Sequence, residues 1–184
     1  MKKVKIILAS TREGRVGEKV ANWVLSGAKK RKEFSVEMID LKKWNLPFFD
    51  SAILPAMANG YFNPIVTKWA EEINSADGFI IVTPEYNHSF SAPLKNALDY
   101  LYKEWNGKPV AFVGYGYSAN GGRVISHLRD VVAELQMLQT RNEVDIPLWT
   151  TMNEKGEFDG KNFDSRLEAL FDQLASFLKM VEKK

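Results

Sequence analysis

The sequence predicts an α/β protein, a doubly wound five-stranded parallel sheet with helices on both faces. Three observations predict it. Short apolar runs recur without polar interruption, as strands covered on both faces require. Segments with apolar residues at helical spacing separate them. Strand and helix then alternate along the chain, the order that crossover connections in a parallel sheet produce. The 184 residues suit a single domain spanning 1–184. A chain of this length buries roughly 70% of its unfolded-state surface, so its core needs no covalent staple.

Each element follows in order. Val4 to Ala9 is β-rich and stops at Ser10. From Val16 the spacing turns helical through Val20, Trp23, Val24 and Ala28. Phe34 to Ile39 is a second strand, ending at Asp40. WNLPFFDSAILPAMANGYFNP carries three prolines and an Asn-Gly pair, so it reads as a long loop of the kind that often serves function. Ile65, Trp69 and Ile73 mark a helix, and Gly78 to Val82 a buried strand. Leu94 to about Lys103 reads as a helix apolar over a broad face. Pro109 to Gly114 is a further strand, followed by a helix through Val124, Ile125, Leu128, Val132 and Leu135. Glu143 to Pro147 supplies a fifth strand, and Phe163 to Val181 a strongly striped last helix. Five βα units in this length resemble the flavodoxin-like architecture.

Composition excludes several functions. A net charge of +2 with dispersed basic residues argues against a nucleic-acid binder. The run Lys29 to Lys32 reads as a solvated face near a helix end. The chain has no cysteine, which removes disulfides, thiolate nucleophiles and cysteine metal sites, and agrees with a cytoplasmic setting. The two histidines, His88 and His127, lie far apart in sequence, so no metal site is expected. The apolar run in MKKVKIILAS is too short for a signal peptide. No segment approaches the ~20 apolar residues of a membrane span.

Ligands of open α/β sheets bind at the carboxyl ends of the strands, where strand order reverses. Three loops therefore matter: Ser10 to Gly17, Thr83 to Ser91 and Tyr115 to Gly122. In the first, a helix start offers unpaired N–H groups and partial positive charge. Ser10 and Thr11 add hydroxyls, while Arg12 and Arg15 can grip phosphate oxygens in pairs. Rival phosphate chemistries fail. Neither G-x-x-x-x-G-K-[ST] nor a G-x-G-x-x-G after the first strand is present. A low-molecular-weight tyrosine phosphatase needs a cysteine nucleophile where Ser10 stands. A response-regulator receiver needs an aspartate where Val82, Thr83 and Pro84 stand. In the second loop, Pro84 and the small residues Ser89, Ser91 and Ala92 permit an open turn presenting backbone amides to a flat ring, with Tyr86 or His88 packed along it.

These residues resemble the NADPH-dependent FMN reductase family. The resemblance rests on S-T-R-x-G-R-V-G at 10 to 17, on P-E-Y-N-x-S with L-K-N-A-L-D at 84 to 99, and on G-Y-S-A-N-G-G-R at 116 to 123. It implies that Ser10, Arg12, Arg15, Val16 and Gly17 hold the FMN phosphate. Pro84, Glu85, Tyr86, Asn87 and His88 would line the isoalloxazine ring, largely through main chain. Gly116, Tyr117 and Ser118 would close its other side. NADPH or NADH would be the reductant, and a flavin, quinone or similar small molecule the electron acceptor. No catalytic side chain and no metal is implied. A homodimer or homotetramer would form, with Leu94 to Trp105 contributing a pairing helix. His88 and Ser91-Ala92-Pro93 depart from the family pattern at the pocket wall. The rival from another class is a flavodoxin-type electron carrier without its own nicotinamide turnover.

Overall fold

A computed structural model of the chain describes residues 1–181. Its elements are β1 (Lys2–Leu8), α1 (Gly17–Ala28), β2 (Phe34–Asp40), the single turn α2 (Leu41–Trp44), α3 (Pro64–Asn74), β3 (Gly78–Pro84), α4 (Ala92–Asp99), β4 (Pro109–Gly116), α5 (Gly122–Glu134), β5 (Leu138–Pro147), the single turn α6 (Leu148–Thr151) and α7 (Asp164–Val181). The five strands form one sheet in the order β2-β1-β3-β4-β5. Every neighbouring pair is parallel.

Two apolar layers explain why the central strands read as unbroken runs. Ile7, Phe79, Ile81, Val110 and Phe112 pack with α3, α4 and α5 on one face. Val4, Ile6, Leu8, Ile80, Val82, Ala111 and Val113 pack with α1 and α7 on the other. Successive side chains in a strand alternate faces, so a strand covered twice must be apolar throughout.

Three boundaries differ from the sequence expectation. The helix expected to reach Lys103 ends at Asp99. Beyond it Leu101 and Trp105 turn back into the core, and the Trp105 indole N–H donates to the Leu98 carbonyl at 3.3 Å. The Trp105 ring meets Trp69 and Phe79 edge-on. The apolar face of this segment is thus covered by its own chain. The fifth strand is twice as long as Glu143 to Pro147, because its first half lies at the sheet edge and alternates exposed with buried residues. Phe163 sits in a 3-10 turn just before α7. The basic run also differs from a purely solvated face: Arg31 is gathered by Glu33, Glu168 and Asp172, which ties the end of α1 to α7.

The chain leaves β1 for β2 on one side and returns to β3 on the other. That reversal splays the loops after β1 and β3 apart, and the loop after β4 lies beside them. A crevice at this point is what the topology itself creates.

Candidate cofactor-binding site

The first wall begins where β1 runs out. The Ala9 N–H still donates to the Val82 carbonyl at 3.0 Å, extending the sheet by one residue. Ser10 is then buried, its hydroxyl 3.2 Å from the Tyr86 hydroxyl. The Ser91 hydroxyl donates to the Ala9 carbonyl and so fixes the start of α4 against this corner.

The two arginines have different jobs. Arg15 sets its fork on Asp40, with Nη1–Oδ1 at 2.7 Å and Nη2–Oδ2 at 2.6 Å. Its Nη1 also donates to the Ser10 carbonyl. The hydrogen bond to Asp40 raises the Arg15 pKa further. For Asp40, burial pushes upward, but the bonds from Arg15 and from the Lys42 N–H outweigh it and hold the carboxyl below its ordinary range. Arg15 lines the cleft, yet the fork that would grip a phosphate is filled. Arg12 is exposed and makes no hydrogen bond or ion pair among the described residues. It is the cation left for an anionic ligand.

Gly17 opens α1 and does not line the cleft. A Cβ built there would lie 2.2 Å from the Tyr115 hydroxyl. The glycine makes room for that tyrosine under the helix start. Val16, the N-cap residue, lines the cleft without a side-chain cap.

The second wall leaves β3 at Pro84. The Glu85 N–H donates to the Tyr115 carbonyl at 2.8 Å, so this wall is stitched to β4. Tyr86 and Ser89 exchange two backbone hydrogen bonds around Asn87 and His88, whose φ values of 50° and 66° make a tight left-handed turn. Two-residue hairpins demand that backbone, which asparagine tolerates well. The amides of Tyr86 and Ser89 are therefore taken, and those of Asn87 and His88 make no hydrogen bond among the described residues. The His88 side chain does not reach the cleft: its Nε2 meets Nη1 of Arg123 at the start of α5. The expectation that His88 packs along the ring through its side chain is not met by this geometry.

Gly116 ends β4 and faces Glu85; a Cβ there would lie 3.1 Å from the Glu85 Cβ. Tyr117 stands over the opening and meets Trp149 of α6 edge-on, with ring centres 5.7 Å apart. Ser118 is exposed and lies outside the cleft lining.

The result is a cleft of about 260 Å³. It brings together Ser10, Arg12, Arg15, Val16, Pro84, Glu85, Tyr86, Gly116 and Tyr117. The side chains of Asn87, His88 and Ser118, and Gly17, are not among its lining. Two residues that sequence reasoning missed complete it, Tyr115 and Leu148. Tyr115 could have been noticed as the one polar ring closing an otherwise apolar buried strand. Leu148 carried no signal. Among the described residues, the Tyr115 hydroxyl and Glu85 Oε2 are buried without a hydrogen-bond partner. Burial pushes the Tyr115 hydroxyl well above its ordinary pKa, so it stays protonated and can donate. Buried polar groups in native proteins nearly always have partners, and two orphans in one cleft mark where a ligand supplies them. Together with Arg12 and the Ser10 hydroxyl, the Tyr115 hydroxyl forms a donor set suited to a phosphate at the α1 end. Glu85–Tyr86 and Gly116–Tyr117, held against each other by the Glu85 N–H, form the cleft's other end, a surface on which a flat ring can lie. The residues present fit FMN.

The NADPH-dependent FMN reductase family model matches residues 2–151, which contain every wall of this cleft. The chain belongs to the NADPH-dependent FMN reductase family. Among its relatives, an NAD(P)H-dependent FMN reductase of Schizosaccharomyces pombe is 42% identical over 136 residues, 73% of this chain and 68% of that one. A 2-hydroxy-1,4-benzoquinone reductase of a Burkholderia species is 32% identical over 142 residues, 74% of this chain and 73% of that one. The fold recurs in a flavoenzyme NAD(P)H:(acceptor) oxidoreductase of Paracoccus denitrificans, with a TM-score of 0.74 at 21% identity, covering 100% of this chain and 98% of that one. Membership in the FMN reductase family makes the chain an NAD(P)H-dependent flavoenzyme, and its cofactor FMN.

Proposed function

We propose that this reductase holds FMN in the cleft between the β1, β3 and β4 loops, takes a hydride from NADPH or NADH, and delivers electrons to a flavin, quinone or similar small acceptor. The observation that carries the placement is one family-matched cleft holding Arg12, the Tyr115 hydroxyl and the Glu85 carboxylate, none of which has a hydrogen-bond partner at its cleft-facing atoms among the described residues. Bound FMN supplies the hydride and electron chemistry itself. The chain's own residues bind and orient. Arg12, the Ser10 hydroxyl and the Tyr115 hydroxyl hold the phosphate end. Arg15 and Asp40 keep the Ser10 corner rigid. The Glu85–Tyr86 and Gly116–Tyr117 backbones flank the ring, and free amides at Asn87 and His88 are available to its polar edge. No side chain is needed to move a proton during hydride transfer, and none is assigned that role.

The test is spectroscopic. The purified chain should carry or take up FMN with its visible absorption band, and anaerobic NADPH or NADH should bleach it. Quinone should then restore the band. Flavin that binds but resists bleaching would instead identify an electron carrier.

A homodimer or homotetramer is supported by the exposed apolar side chains of Ile53, Leu54, Met57 and Phe62, all within residues 53–62. They replace Leu94 to Trp105 as the pairing surface, since the apolar residues of that segment are buried in the subunit's own core. A monomeric mass in light scattering would contradict it. A cytoplasmic setting is supported by the cysteine-free composition. No described helix is long and apolar enough to cross a membrane.

A further inference from the structure

The cofactor cleft has a larger neighbour. A hollow of about 420 Å³ opens on the other side of Thr11, between α2, the segment after it and the start of α4. Its lining is partly apolar, from Leu41, Leu46 and Pro93. Phe48, also lining it, is 82% exposed, an aromatic face with nothing over it. Lys42 and Asn45 line it as well, and their side chains make no hydrogen bond or ion pair among the described residues.

The rigidity and the charge of the hollow both follow from the contacts around it. Asn96 accepts from the Phe49 N–H at 2.9 Å and donates to the Pro47 carbonyl at 2.7 Å, so α4 holds the Phe48 segment in place. Asn45 sits in the left-handed region at φ 43°, turning the chain from α2 into that segment. Asp40, the carboxylate nearest in sequence to Lys42, is held by Arg15. The charge left at this edge is therefore positive. An exposed aromatic face, an apolar bed, a free amide and an uncompensated ammonium suit a purine carrying a phosphate.

We propose that this hollow seats the phosphorylated adenosine end of the nicotinamide dinucleotide, with Lys42 against a phosphate and Phe48 against the purine. The inference rests on the reductase reading above and deepens it. Thr11 lines this hollow while its neighbours Ser10 and Arg12 line the cleft, so a dinucleotide with its adenosine end in the hollow can extend its other end over the flavin held in the cleft. The chain has no separate dinucleotide fingerprint after β1 to offer instead. The phosphate against Lys42 has two possible sources on the dinucleotide, the 2′-phosphate and the pyrophosphate.

The test is calorimetric titration of the FMN-loaded full chain with 2′,5′-ADP and, separately, with 5′-ADP. Lys42→Glu is expected to weaken at least one of them about tenfold or more, the scale of one lost charge-assisted contact. Phe48→Ala should weaken both, and Lys42→Met should fall between the wild type and Lys42→Glu. FMN retention and the thermal midpoint should not change in the Lys42 variants. Loss confined to 2′,5′-ADP assigns Lys42 to the 2′-phosphate; equal loss of both assigns it to the pyrophosphate. A wild-type protein whose flavin is bleached by NADPH, yet whose affinity for both probes ignores Lys42→Glu, would overturn this site while leaving the reductase reading intact. A chain that neither binds nor reduces FMN would fail at the earlier step.

Discussion

Three positions apart on one loop, Arg12 and Arg15 look alike in sequence and behave differently in the fold. Arg15 is half of a mostly buried ion pair that also holds the Ser10 carbonyl; Arg12 has no partner among the described residues. Their substitutions should therefore fail in different ways. Arg12→Ala should leave the thermal midpoint unchanged and weaken FMN retention by about tenfold or more, since a hydrogen bond to a charged group contributes about 1.5–3 kcal/mol. Gel filtration of the flavin-loaded variant reads this directly, and full occupancy afterwards would rule it out. Arg15 is read as a positioning residue instead, acting through Ser10 and Asp40. His88 shows the same gap between residue type and placement: its imidazole meets Arg123 rather than the cleft, so it has no assigned part in turnover.

The elements that build the cleft are held by close backbone approach. At the start of α1, a side chain on Gly17 would collide with the Tyr115 hydroxyl, and Leu8 Cδ1 and Tyr115 Cζ lie at 3.1 Å from the same point. Gly17→Ala is expected to destabilise the protein by about 1–3 kcal/mol, as overpacking does. Adding Tyr115→Phe should recover part of that loss by removing the atom in closest collision. Denaturant titration of the single and double variants measures both. Equal stability of Gly17→Ala and wild type would show that Tyr115 moves freely. Gly121 plays the matching part at the start of α5: its φ is +91° and a Cβ would lie 2.3 Å from the Gly114 carbonyl carbon. α1 thus begins on a glycine, and α5 directly after one, for steric reasons.

At the scale of the molecule, stability comes from a sheet covered on both faces, and its polar seams lie at the ends of the strands. Lys108 enters β4 with its Nζ donating to the Ile73 carbonyl at the end of α3, and lies over the Phe79 ring. Burial pushes its pKa down to about 8 from an ordinary 10.5. The sign follows from proton counting. Between these two values the unfolded chain binds more protons than the folded one, so this residue makes stability rise with pH across about 8 to 10.5. Lys108→Met should flatten that part of the profile relative to wild type. Thermal midpoints measured from pH 7.5 to 10.5 check it, and parallel profiles would rule it out.

The sequence by itself determined the sheet, its parallel sense and the end at which ligand binds. The reason is that period-2 burial on both faces forces unbroken apolar strands, and strand–helix alternation then leaves one carboxyl edge with a reversal in it. It also placed most of the cleft wall, because Ser10, Arg12, Pro84, Glu85, Tyr86, Gly116 and Tyr117 follow directly on β1, β3 and β4. Only the tertiary structure decided which cation is free, since Asp40 reaches Arg15 across 25 positions from a different strand. It alone brought Tyr115 and Leu148 into the cleft, turned His88 away and folded Trp105 back to cover the helix that looked available for pairing. Each of those outcomes depends on side chains distant in sequence, whose partners are chosen by packing rather than by local pattern.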